Sequence, residues 1–213
     1  MSKEIVELAI RSPKSGITDK EFVHAKNEAV KNLVRMKGIG PEREFYPFLT
    51  VPETNSNVYV GMTKYSSQGK VYRALLNLRF ITKLMKFMKK MNPYVGVFMQ
   101  PNESHFDYLN FANTQNITEI ALLKPKNGVS VELFLQARAD FLKKIDQEPE
   151  VEKSYTFNVT GGFKGKNTHP HFTVYKSKEA FDQLTKRANS IPYFQEFFKT
   201  FDIEILCFCT TIK

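Results

Sequence analysis

The chain contains no tryptophan, only two cysteines and only four histidines in 213 residues. Two cysteines cannot staple a disulfide scaffold. Cys207 and Cys209 stand two apart in a strand-like segment, where neighbours do not bridge, and are expected as reduced thiols. Two thiols without histidines at a matching spacing do not define a metal site, and none is expected. No run approaches the roughly 18 apolar residues that a membrane-spanning helix needs. The start, Met1-Ser2-Lys3-Glu4, leads straight into alternating residues rather than into the apolar core of a signal peptide. Cytoplasmic placement is the expectation. There is no Gly-x-Ser-x-Gly elbow. The run Gly161-Gly162-Phe163-Lys164-Gly165-Lys166 fits neither a phosphate loop nor a dinucleotide fingerprint and reads as a hairpin tip.

What is present is ordinary globular composition, 42% hydrophobic and 25% charged, with a net charge of +9. The excess is uneven. Up to Ala112 there are 17 basic and 10 acidic residues; beyond it, 14 and 12. Much of the surplus lies between Arg79 and Lys90, where lysines interleave with Leu84, Met85, Phe87 and Met88. That pattern suits a nucleic-acid or anionic surface. It suits the wet face of an amphipathic helix better.

The chain resembles itself. Under a shift of 112, Ile5 meets Ile117, Glu7 meets Glu119, Ala9 meets Ala121, Pro13 meets Pro125, Gly16 meets Gly128, Phe22 meets Phe134 and Phe45 meets Phe157. Under a shift of 110, Thr63 meets Thr173, Tyr65 meets Tyr175, Phe87 meets Phe197 and Phe98 meets Phe208. A colinear set with one small slip predicts two copies of one module.

Both halves predict the same elements. Alternating strands cover Ile5–Arg11 and Ile117–Leu123. Thr18 and Ser130 are helix N-caps, and only Thr18, with Glu21, completes a capping box. Helices follow with apolar residues at helical spacing. Strands then fall near Glu44–Leu49 and Asn57–Tyr65, and near Tyr155–Val159 and Thr168–Tyr175. A second helical region in each half breaks near Ile81 and before Pro192. Final strands are Tyr94–Gln100 and Ile203–Thr210. The order is βαββαβ twice. This defines an α+β fold of tandem ferredoxin-like repeats, 1–101 and 115–213, joined by a polar linker at 102–114. One sheet of such a unit has an uncovered apolar face, so the two are expected to pack sheet to sheet as an intramolecular barrel.

The second half carries a further resemblance. It reads Ile117-Thr-Glu-Ile-Ala-Leu-Leu-Lys-Pro-Lys-Asn-Gly-Val-Ser130, then Thr173-Val-Tyr-Lys-Ser-Lys-Glu-Ala180, then Ile191-Pro-Tyr-Phe-Gln-Glu-Phe-Phe198. These segments resemble the dimeric α+β barrel superfamily, nearest the antibiotic-biosynthesis monooxygenases. The resemblance implies two units paired through their sheets, here a pseudo-dimer within one chain, monomeric or further dimerised. It also implies a ligand cavity between helices and sheet. Relatives include cofactor-independent oxygenases, haem-degrading enzymes and isomerases. The haem-degrading Asn/Trp/His arrangement cannot be placed in a chain without tryptophan, and no cofactor is expected.

Candidate site residues follow from alternation. On Thr168–Tyr175, one face carries His169, His171, Thr173 and Tyr175; the matching face of the first half carries Tyr59, Gly61, Thr63 and Tyr65. His171 is a candidate general base, and His169 a ligand contact; both also fit a strand edge near solvent. Tyr65 and Tyr175 can hydrogen-bond a phenolic ligand, or can be core aromatics with satisfied hydroxyls. Tyr59 joins them as a ligand contact. Glu7 and Glu119 share one place in both first strands, as a carboxylate of a site or as a cross-strand ion pair. His24 and His105 are expected to be exposed. The functional expectation is a cofactor-independent monooxygenase acting on a small apolar or aromatic molecule. The alternative is a binding module without catalysis. RNA binding needs aromatics on an open sheet face, which Ile5–Ile10 and Ile117–Leu122 lack. Neither nucleic acid nor a membrane is expected as a partner.

Overall fold

The alternating strands and stripe-faced helices appear in the order the residues dictate. The computed structural model describes residues 4–54, 57–103 and 106–211. The elements are β1 (Ile5–Pro13), α1 (Asp19–Leu33), β2 (Ile39–Val51), β3 (Tyr59–Tyr65), α2 (Gln68–Leu75), α3 (Leu78–Met88) and β4 (Met91–Pro101), then β5 (Ile117–Pro125), α4 (Val131–Ile145), β6 (Val151–Lys164), β7 (His169–Tyr175), α5 (Lys178–Ala188), α6 (Pro192–Phe198) and β8 (Phe201–Thr211). The fold is mixed α+β. Its eight strands take the hydrogen-bonded order β1-β3-β2-β8-β5-β7-β6-β4 as a closed antiparallel barrel.

Two compact units make up the chain. The first draws on Met1–Tyr46, Thr54–Leu109 and Asn158–Lys166, the second on Pro47–Glu53, Asn110–Phe157 and Asn167–Lys213. In the first unit β1 lies between β3 and β4, with Glu7 opposite Thr63 and Ala9 opposite Gly61. In the second, β5 lies between β7 and β8, with Glu119 opposite Thr173 and Ala121 opposite His171. The register slips after Ile10 in one and after Leu122 in the other. These slips fall 112 residues apart, the interval at which the sequence repeats itself. Each unit buries its own apolar set. In the first, Ile5, Leu33, Tyr65, Val71 and Phe80 pack together; in the second, Ile117, Phe134, Phe141, Ile145, Phe181 and Phe197 do.

The caps form as the residues require. Thr18 Oγ1 accepts from the Glu21 amide at 3.3 Å while Glu21 Oε2 accepts from the Thr18 amide at 3.0 Å. Ser130 accepts only the Leu133 amide, at 3.2 Å. The break expected near Ile81 falls at Leu76–Asn77 instead. There Asn77 Oδ1 accepts the Phe80 amide at 2.9 Å and starts a new helix. The break before Pro192 falls where proline demands it.

The Gly161–Lys166 run is a hairpin tip only at its end. Its first four residues extend β6, and only the residues after Lys164 turn. The reason is close backbone approach. A Cβ on Gly162 would sit 2.3 Å from the Gly96 carbonyl oxygen, and Gly162 has φ +141°, so no side chain fits. The stretch read as a polar linker also carries aromatics that bury. Tyr108 is buried and its hydroxyl donates to the Pro41 carbonyl at 3.2 Å in the first unit. Phe111 stacks near Phe172 at 6.0 Å in the second. Polarity counted along a sequence does not register two well-spaced rings. His24 is exposed, as its helical position predicts; His105 lies outside the described residues.

Candidate active site

In the second unit, strand alternation delivers Glu119, Ala121 and Leu123 from β5 and His171 and Tyr175 from β7 to one face. The helices α4, α5 and α6 lie over that face with Phe141, Phe194, Phe197 and Phe198, and β8, beside β5 in the sheet, adds Phe208. Between them is a cavity of about 510 Å³. Its walls are aromatic and its polar groups few, the usual make-up of a small-molecule site. The rings hold one another in place: Phe141 and Phe197 stack at 4.4 Å, and Phe141 meets Phe194 edge-on at 5.0 Å.

The polar groups converge. The Tyr175 hydroxyl donates to Glu119 Oε2 at 2.6 Å. His171 Nε2 stands 3.6 Å from Glu119 Oε1. The imidazole is only 1% exposed, and its Nδ1 has no hydrogen-bond partner among the described residues. Burial, then the neighbouring Glu119 charge, pushes the Tyr175 hydroxyl far above the usual tyrosine range. Tyr175 therefore stays a proton donor to Glu119. Anchoring Glu119 from one side leaves its other oxygen facing His171. An imidazole that turns Nε2–H toward a carboxylate keeps a lone pair on Nδ1.

The first unit builds the same motif and closes it. The Tyr65 hydroxyl donates to Glu7 Oε2 at 2.6 Å. The cavity around them is only about 80 Å³. Three positions beside the shared motif differ in kind. Arg11 stands where the second unit has Leu123, Glu42 where it has Ser154, and Gly61 where it has His171. Arg11 and Glu42 form a buried ion pair over Gly61, where a Cβ would meet Glu42 Oε1 at 2.4 Å. Only glycine leaves room for that pair. Lys26, 1% exposed, reaches in from α1 to within 3.7 Å of Glu42 Oε2 and pairs with Glu44 as well.

Burial raises the Glu7 carboxyl above its usual range, against the lowering effects of Tyr65 and Arg11. An acid whose folded pKa is raised costs stability at neutral pH, and that cost fades as pH falls through the folded value. Glu7→Gln keeps an acceptor for Tyr65 and removes the buried charge. It is expected to raise the melting temperature at pH 7, with the gain over wild type shrinking in acid. Melts between pH 4 and pH 8 check this.

Of the seven candidate residues, the structure gathers Glu119, His171 and Tyr175 around the large cavity and Glu7 and Tyr65 around the small one. His169 and Tyr59 line neither. His169 packs at 5.1 Å from Phe134, and burial followed by the Arg138 charge holds its pKa down. Tyr59 packs at 4.7 Å from Phe22. Alternation put both on the right face of the strand but could not say where the helices end over it. Arg11, Glu42 and Lys26 went unread in the sequence. A signal existed for two of them, since Arg11 aligns with Leu123 and Glu42 with Ser154; Lys26 aligns with the like-charged Arg138 and gave none.

Comparison with known proteins supports the architecture. No family model matches the chain, and no curated protein does. Solved structures do. An anthrone oxidase-like protein superposes with a TM-score of 0.69 at 12% identity, over 100% of this chain and 92% of its own. A proposed monooxygenase from Fusobacterium nucleatum gives 0.62 at 12%, over 100% and 94%. A chlorite dismutase variant from Candidatus Nitrospira defluvii gives 0.55 at 10%, over 100% and 93%. At such identities the likeness is one of fold.

Proposed function

We propose that the second unit is a cofactor-independent monooxygenase site for a small, electron-rich aromatic with an acidic C–H or O–H. The observation that carries this reading is a buried imidazole, backed by a carboxylate, in the wall of a cavity of aromatic rings large enough for two or three fused rings. The His171 imidazole takes the proton; Glu119, 3.6 Å from its Nε2, orients it, and Tyr175 fixes Glu119. The apolar walls keep the anion in a dry setting where its electrons are available to dioxygen. The anion is oxidised and dioxygen reduced. One oxygen atom becomes a carbonyl on the former CH₂ carbon and the other leaves as water, so R₂CH₂ + O₂ gives R₂C=O + H₂O. The names borne by two similar structures, an anthrone oxidase-like protein and a proposed monooxygenase, agree with this chemistry. We further propose that the halves are ferredoxin-like copies of one module, and that the first is a structural partner whose cavity is filled.

The test is an oxygen electrode with anthrone, hydroxylated anthracenes and naphthols, with titration calorimetry on the same compounds. Oxygen uptake with carbonyl formation is expected for at least one polycyclic compound, with one ligand bound per chain. Binding without uptake would favour the non-catalytic reading. Neither across the panel would sink both.

A further inference from the structure

The strongest unexplained feature lies on α2 and α3. Between Gln68 and Met91 there are seven basic residues and no acidic one. The same stretch exposes large apolar side chains: Leu78 is 82% exposed, Leu76 80%, Tyr72 59% and Met85 52%. The fold does not require this. The corresponding helices of the second unit have four basic and three acidic residues between Lys178 and Phe201. Where Tyr72, Leu76 and Met85 stand, they carry Asp182, Lys186 and Gln195.

The side chains are sorted around the helix. With about 100° per residue, α3 turns Phe80 and Phe87 into the core. Arg79, Lys83, Lys86 and Lys90 form a strip along one flank, where Lys83 pairs with Glu28 of α1 at 2.8 Å and Lys90 stands 3.9 Å from Glu21. Leu78 and Met85 project on the outward side, next to Met88. On α2, Tyr72 and Leu76 share one face and lead to Leu78 across the Asn77 break.

We propose that this helix pair is a peripheral docking surface for an anionic lipid membrane. Protruding leucines beside a basic strip match an interfacial helix, which dips apolar side chains below the headgroups while its cations meet lipid phosphates. A second copy of the chain is disfavoured, because it would set one basic face against another. An acidic protein would satisfy the charge, but Leu76 and Leu78 protrude at a helix junction rather than line a groove, so they suit insertion. No helix of the described residues is long and apolar enough to cross a membrane, so the contact is with its surface. This revises the expectation that no membrane is a partner. The sequence alone suggested a solvated face; the exposure of the leucines argues otherwise.

The test is sedimentation of the full chain with vesicles of phosphatidylcholine containing 30% phosphatidylglycerol, at physiological salt. Wild type is expected to pellet with them and not with pure phosphatidylcholine. Leu76→Ser/Leu78→Ser leaves the charge unchanged and is expected to weaken binding about tenfold or more. Arg79→Gln/Lys86→Gln/Lys89→Gln is expected to weaken it comparably and to flatten its salt dependence. Because the chain has no tryptophan, Leu78→Trp supplies a single tryptophan, excited selectively over the tyrosines, whose emission should shift to the blue on adding anionic vesicles. Absence of wild-type binding, equal binding by the leucine pair variant, or no blue shift overturns the proposal. So does capture by polyglutamate with the same leucine dependence, which would point to an acidic protein.

Discussion

His171→Asn is expected to lower the oxygenation rate at least about 100-fold while changing ligand affinity by no more than a few fold. A positioned general base contributes roughly 10²–10⁴ to rate, and the ligand is held mainly by the aromatic walls rather than by the imidazole. Asparagine is smaller and polar, so it suits the space but has no lone pair of comparable basicity. Glu119→Gln tests the group behind. It keeps an acceptor for the Tyr175 hydroxyl, now 2.6 Å away, but removes the carboxylate that stands 3.6 Å from His171 Nε2. The rate should fall while ligand affinity holds. Steady-state oxygen uptake, with affinity measured separately, checks this. A His171→Asn enzyme with normal turnover would remove the imidazole from the chemistry.

Glu42→Gln is expected to destabilise the first unit by about 3–5 kcal/mol, the usual cost of leaving a buried ion without its partner. Glu42 is the shared acceptor of Arg11 and Lys26, and its side chain is 6% exposed. Lys26 keeps Glu44, but Arg11 is left buried beside a neutral amide. The double variant Arg11→Leu/Glu42→Ser is expected to lose less, because it removes both charges together and installs the residues that the second unit tolerates at these positions. It should also enlarge the small cavity, so that calorimetry with a panel ligand approaches two molecules per chain while turnover per chain stays constant, since Gly61 supplies no base. Denaturant titration of the single and double variants gives the stability difference. A double variant less stable than Glu42→Gln would mean that the ion pair does more than fill space.

The asymmetry between the units shows how much of the site a sequence carries. Glu7, Glu119, Tyr65 and Tyr175 could be singled out because each lies on a strand, where a period of two assigns every side chain to a face. Their cross-strand bond then follows from the register: Glu7 lies opposite Thr63, two residues from Tyr65, and Glu119 lies likewise opposite Thr173. His169 shows the limit. It shares a strand face with His171, yet the cavity ends before it reaches His169, because the extent of a cavity is set by helices packed across the sheet. Lys26 shows the same limit from the other side. Its place on an amphipathic helix gave no sign that it would be 1% exposed, since its partners Glu42 and Glu44 come from a different element.

Local order belonged to the residues themselves: alternating strands, capped helices, and the interval of 112 at which the chain resembles itself all follow from periodicity and from backbone groups that must be satisfied. Which of the two matching faces holds an open cavity was decided only in three dimensions. There the space over one position depends on whether an arginine and a glutamate from two other strands meet above a glycine, as over Gly61, or leave room for a histidine in the wall of a cavity.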